Sequence, residues 1–214
     1  MCSSDLDTQE RLNQLLADAR LSPPQVKQNK HLIDYFTLLL RWNARTNLTA
    51  VRDPDQILER HFLESIACAQ LLPAGIATLL DYGSGAGFPG LPIAICRSEI
   101  AVTLAESQNK KAAFLLEAIR VTGVTARVHS GRAETLAEKF DCVTLRAVDR
   151  MERAVQSASH LVTSNGWLAL LTTDAEYPAT RAAAGPSFSW SDFQPLPGGE
   201  RRILALGRFS SFMV

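Results

Sequence analysis

The sequence predicts an α/β fold, a mainly parallel sheet covered on both faces by helices, with a helical extension in front of it. Three observations carry this. From Ile76 onward short apolar runs alternate with amphipathic helical segments, the pattern of strand-helix repeats. The first of those runs, Thr78-Leu79-Leu80, ends in Asp81 and passes directly into Gly83, Gly85 and Gly87, the order strand, ligand loop, helix. Residues 1–73, in contrast, carry only helix-spaced apolar stripes.

In the extension, Leu12, Leu15, Leu16 and Ala19 share one helical face. Pro23-Pro24 separates it from a second stripe, Leu32, Ile33, Phe36, Leu39 and Leu40. A third helix starts at Asp53 as N-cap with Pro54 behind it and Gln56 at capping-box spacing. It turns Leu58, Phe62, Ile66 and Ala69 inward and ends near Pro73. The sequence therefore divides into a helical cap, residues 1–73, and a sheet domain, residues 74–214.

Within the sheet domain, Pro89 suits the first turn of a helix that packs Leu91, Ile93, Ala94 and Ile95 on the sheet. Ala101 to Ala105 reads as a second strand ending at Glu106. Asn109 to Val121 follows as a helix with Ala113, Leu116 and Ile119 on its apolar face. Thr125 to His129, Phe140 to Leu145 and Gly166 to Thr172 are further strands, with a helix from Met151 to Leu161 before the last of these. Glu176 to Ala184 reads as helix, Phe188 to Phe193 as an edge strand, and Arg202 to Leu206 as the closing strand.

The 22 basic and 22 acidic side chains cancel, so a nucleic-acid partner would have to be met by a local basic surface. Cys2, Cys68, Cys96 and Cys142 lack the paired spacing of zinc or redox sites and read as reduced thiols, Cys68 and Cys96 buried. No metal site is expected. The polar, acidic start and the absence of a long apolar run predict a cytoplasmic protein without a membrane partner.

The chemistry begins at the glycine loop. Gly85-Ala86-Gly87-Phe88-Pro89-Gly90 alone spells a dinucleotide fingerprint, which would make the chain a nicotinamide oxidoreductase. Asp81 argues otherwise, because a carboxylate at the head of the loop repels a pyrophosphate and suits the ammonium and sulfonium of S-adenosylmethionine. Glu106, about 20 residues on at the end of the second strand, stands where an acid reaches ribose hydroxyls in either case. Ala133-Glu134 follows the third strand, where backbone could meet an adenine edge, although ordinary acidity at a helix start is the better explanation of the glutamate on sequence alone. Arg146 closes the fourth strand at the ligand-bearing edge of the sheet.

Residues 41–52 hold three arginines, two asparagines and Trp42 between helices. They read either as a solvated connector over a packed tryptophan or as a substrate edge that grips phosphate and base. His61 and Glu64 lie on one helical face at i and i+3, and a lone helix histidine is usually structural.

Together these motifs resemble the bacterial small-subunit rRNA N7-guanine methyltransferase G family. The resemblance rests on Trp42-Asn43, Asn47-Leu48-Thr49, His61 with Glu64-Ser65, Asp81 through Pro92, Glu106-Ser107 with Lys110, Arg132-Ala133-Glu134, Arg146-Ala147 and Gly199-Glu200-Arg201. It implies a class I, Rossmann-like methyltransferase sheet of seven strands behind the helical extension. It also implies methyl transfer from S-adenosylmethionine to N7 of a guanosine in 16S rRNA, with the 30S subunit or its precursor as partner and the enzyme a monomer. Family cofactor contacts carry over to Gly83, Phe88, Ala133, Glu134 and Arg146; Asp81, Gly85, Gly87 and Glu106 are added on the physical argument. Asn47, Thr49, His61 and Arg146 are expected to border the guanine. No catalytic base is expected, since N7 carries a free lone pair at neutral pH. Glu64 stands where the family more usually has aspartate, and Thr172-Thr173 and Gly207-Arg208 stand where it often has lysines. Two other readings remain: a methyltransferase of small molecules or protein, and a non-catalytic nucleotide- or RNA-binding module of the same fold.

Overall fold

The computed structural model of the chain describes residues 3–210; Cys2 lies outside them. The extension comprises α1 (Ser3–Asp18), α2 (Val26–Asn43) and a third helical run built from α3 (Pro54–Ile57), a π-helical turn (Leu58–Leu63) and α4 (Glu64–Leu71). Asp53 caps this run as expected, its carboxylate accepting the Gln56 amide at 2.9 Å.

The sheet follows with β1 (Thr78–Tyr82), α5 (Gly90–Cys96), β2 (Ala101–Ala105), α6 (Asn109–Thr122), β3 (Ala126–His129) and a 3₁₀ turn (Ala133–Thr135). It continues with β4 (Phe140–Arg146), α7 (Met151–Ser159), β5 (Val162–Thr173), α8 (Tyr177–Ala183), β6 (Phe188–Trp190), β7 (Gln194–Pro195) and β8 (Arg202–Phe209). Seven strands form the path β3-β2-β1-β4-β5-β8-β6, and the two-residue β7 pairs with β8 beside it, so among the described residues the sheet has eight strands, one more than the resemblance implies. The pairings from β3 through β5 are parallel, and those of β8 with β5, β6 and β7 are antiparallel.

Alternation across the pleat explains why the strands are apolar throughout. Leu79, Leu104, Cys142, Ala169 and Leu171 face a core shared with the extension, α5 and α6. Leu80, Tyr82, Val143, Leu145, Leu168 and Leu170 face a second core under α7 and α8. The first core runs without interruption from Leu12 to Leu204, so the helical extension is packed into the sheet rather than appended to it.

Three expectations need correction. The inward face of α6 is Ala112, Phe114, Leu115 and Ala118, while Ala113 and Leu116 are exposed; the helix is rotated so that its ring reaches Tyr35 and Trp42 of α2. Pro89 precedes α5 as its N-cap, after a cis Phe88-Pro89 bond. Cys96 is half-buried, whereas Cys68 and Cys142 are buried.

Candidate functional site

The strand order reverses direction around β1, whose neighbours are β2 on one side and β4 on the other. The crevice at the carboxyl ends of these strands is where open α/β sheets bind ligands. A cavity of about 860 Å³ occupies it. Its walls come from the loop after β1 (Gly83 to Ala86, with Phe88), the ends of β2 and β3 (Glu106, Ala133, Glu134), the end of β4 (Arg146) and the extension (Thr49, His61). One cavity thus gathers most of the residues singled out in sequence.

The loop is held from both sides. Gly83 and Gly85 adopt positive φ of 72° and 59°, which glycine takes without the cost a side chain would add. The Glu106 carboxylate accepts the Gly85 amide at 2.9 Å and the Gln108 amide at 2.7 Å, so it braces the loop and keeps lone pairs toward the cavity. From the extension, the buried Tyr35 hydroxyl donates to the Ala86 carbonyl at 2.5 Å. The Tyr82 hydroxyl donates to Glu134 at 2.6 Å and so orients that carboxylate at the cavity's edge.

Three expected site residues stand elsewhere. Asp81 does not line the cavity: it is buried beneath the loop, accepting the Thr144 hydroxyl at 2.9 Å and the Gly90 amide at 3.2 Å. Burial pushes its carboxyl up to about 6 against these hydrogen bonds. Its contact with Gly90 occupies the amide at the start of α5, the place a dinucleotide fold gives to pyrophosphate. Gly87 packs inward, where an added Cβ would lie 2.6 Å from Leu91 and 2.9 Å from the Tyr35 hydroxyl. Asn47 is exposed on its loop and accepts from Arg52, outside the cavity.

Asn43, one turn earlier, does not line the cavity either but supports its wall from beneath. It is buried, its carbonyl oxygen accepts the Leu48 and Thr49 amides at 3.1 Å each, and its amide donates to the Val51 carbonyl at 3.1 Å. These bonds shape the turn that aims Thr49 into the cavity. The neighbouring Trp42 indole donates to Glu117 on α6 at 2.9 Å.

Arg146 is fastened by the extension. Its Nε lies 3.1 Å from one Glu64 oxygen and its Nη2 3.2 Å from the other, while Nη2 also reaches the Arg60 carbonyl at 2.8 Å and His61 Nδ1 at 3.0 Å. Glu64 receives Arg202 from β8 as well, at 2.8 Å. Burial alone would raise the Glu64 carboxyl, but the two guanidinium groups outweigh it and hold it below the usual range. His61 is drawn down to about 4, by burial first and by Arg146 second, and is neutral at physiological pH. It stacks near Phe88 with ring centroids 5.0 Å apart and meets the Thr49 hydroxyl through Nε2 at 2.8 Å.

The cavity's lining does not share the neutrality of the whole chain. Lys111, Arg132, Arg150 and Arg153 join Arg146 on its lining against Glu106, Glu134 and Asp149, and none of the first four is in an ion pair among the described residues. The surface at the cavity is locally basic. Sequence spacing gave no sign of this rim, because its members are brought together only by the sheet. No group of three metal-ligating side chains occurs among the described residues.

Strand order and a glycine loop opening on the switch-point cavity define the class I methyltransferase fold. TYW2 of M. jannaschii, solved in complex with AdoMet, is similar in fold, with a TM-score of 0.55 and 12% identity over 69% of this chain and 74% of that one. The model of the family described as rRNA small subunit methyltransferase G matches residues 28–184, and the chain belongs to that family. Ribosomal RNA small subunit methyltransferase G of Xanthomonas campestris pv. campestris (strain B100) is 42% identical over 184 residues, 82% of this chain and 84% of its own length. That of Stenotrophomonas maltophilia (strain K279a) is 40% identical over 198 residues, 88% of each chain.

Proposed function

We propose that this chain transfers a methyl group from S-adenosylmethionine to N7 of a guanosine in 16S rRNA of the small ribosomal subunit. The observation that carries the reading is the meeting, in one cavity, of nucleoside-facing groups from β1 to β3 with a polar wall contributed by the helical extension.

The cavity's chemistry fits the donor. Glycine backbone at Gly85 leaves room for a ligand, a Cβ built there meeting no atom beyond its chain neighbours closer than 3.9 Å. Glu106 has lone pairs for ribose hydroxyls, and the backbone of Ala133 and Glu134 lies beside it for an adenine edge. S-adenosylmethionine supplies an electrophilic methyl on a sulfonium that leaves as a neutral thioether. The acceptor N7 offers its lone pair to that carbon and takes up the positive charge the sulfur gives up, and no proton moves. A neutral His61, committed through both ring nitrogens, agrees with a site that needs no base. The chain's contribution is orientation and exclusion of water, effects that supply much of the barrier reduction in such transfers.

The basic rim of Lys111, Arg132, Arg150 and Arg153 suits phosphates flanking the acceptor. Radiolabelled methyl transfer to 30S subunits, free 16S rRNA and total protein tests the reading. Label is expected in a 16S-containing sample. Label in protein alone, or in none of the three, rejects it.

A further inference from the structure

We infer that the Thr49 hydroxyl is locked as a hydrogen-bond donor to the acceptor base, reading an oxo group at the purine 6-position, so that Thr49 is a specificity-determining residue. The inference rests on the rRNA guanine reading above and adds the atom that distinguishes guanine from a 6-amino purine.

The hydrogens along one row of contacts, from Arg146 through His61 to Thr49, set its direction. A guanidinium can only donate: one Nη2 hydrogen of Arg146 goes to Glu64, and the other is shared between the Arg60 carbonyl at 2.8 Å and His61 Nδ1 at 3.0 Å, an arrangement that favours a lone pair on Nδ1. A proton on Nδ1 would set N–H against N–H at the 3.0 Å contact with Arg146. The neutral ring therefore carries its hydrogen on Nε2 and donates it to Thr49 Oγ1 at 2.8 Å. The Val51 amide donates to the same oxygen at 3.2 Å.

Both acceptor positions of the hydroxyl are filled from within the protein, and its single hydrogen is left for the cavity that Thr49 lines. A one-way donor favours a carbonyl and opposes an amino group, which would bring hydrogen against hydrogen. The lock begins at Glu64, whose carboxylate fixes Arg146, so the direction of every bond in the row is set by a group that cannot reverse.

Two measurements test this. Nitrogen-15 spectra of the full chain at neutral pH are expected to show His61 with hydrogen on Nε2 and a bare Nδ1; the opposite tautomer overturns the inference. The second uses 16S rRNA in which the methylated guanosine is replaced by 2-aminopurine, which keeps N7 and lacks the 6-oxo group. The preference of the native enzyme for guanosine over 2-aminopurine is expected to fall about 10- to 100-fold in Thr49→Val and to persist in Thr49→Ser, with S-adenosylmethionine affinity unchanged in both. An unchanged preference in Thr49→Val overturns this inference alone. No label on either RNA with the native enzyme rejects the methylation reading and this inference with it.

Discussion

Glu64 and Arg202 lie 138 positions apart in the chain and meet at 2.8 Å, through a carboxylate that also holds Arg146. The extension and the last strand are thus fastened at the same point that orients an arginine of the cavity. Glu64→Gln leaves two guanidinium groups short of a counter-charge in a buried place. A loss of about 3–5 kcal/mol is expected in urea denaturation, the scale found when one partner of a buried pair is removed. A loss under about 1 kcal/mol would show the pair to be peripheral.

The glycines of the loop separate by purpose. Gly87→Ala places a Cβ against Leu91 and the Tyr35 hydroxyl at a φ of 98°, and is expected to cost about 3 kcal/mol or more in folding stability. Gly85→Ala meets open space at a φ of 59°, and is expected to cost about 1–2 kcal/mol, the penalty of left-handed backbone, while weakening S-adenosylmethionine binding in calorimetry. Equal stability losses in the two variants would contradict this assignment.

The pH dependence of stability has two opposed parts. Asp81 rises from 3.8 to about 6 on folding, so the folded state holds more protons between those values and stability falls as pH rises through them. His61 falls from 6.5 to about 4, so the unfolded state holds more protons and stability rises over that window. Asp81→Asn removes the first part only. Its stability is expected to climb from pH 4 to 6 more steeply than the native protein's, by on the order of 2–4 kcal/mol. Parallel curves from chemical denaturation would contradict the burial argument.

The basic rim should appear in salt dependence. Replacing Arg150 and Arg153 together by alanine is expected to weaken rRNA binding and to lower the slope of log affinity against log salt by about 1–2. Affinity for S-adenosylmethionine should stay as it was. A slope identical to that of the native protein would place the RNA elsewhere.

Much of the fold was legible because its signals are periodic. The β1 run, the glycine loop that follows it and the Asp53-Pro54 helix start each depend on neighbours in sequence, and β1, the loop and the helix start stand where expected, although Gly87 packs inward. Orientation was less legible. Asp81 is correctly placed at the end of β1, but only the packing of Thr144 and Gly90 around it turns its carboxylate beneath the loop. Asn43 and Asn47 are the same residue type four positions apart, and the difference lies in burial beneath the Leu48–Val51 turn. The face of α6 is ambiguous in sequence because Phe114 and Leu115 are adjacent apolar residues that permit two phases, and contact with α2 chooses between them. Arg202 carries no local pattern at all; its role exists only once β8 lies beside the extension.

The central claim is that this cavity directs a methyl group to N7 of guanine. N7-methylguanosine is alkylated at a position that destabilises the glycosidic bond, so reduction followed by aniline cleaves the RNA at the methylated residue. Treated 16S rRNA methylated by this enzyme is expected to break at one guanosine, with label and cleavage both lost in Arg146→Ala. Labelled 16S rRNA that resists cleavage would mean that the methyl group resides on another atom, and would contradict the account.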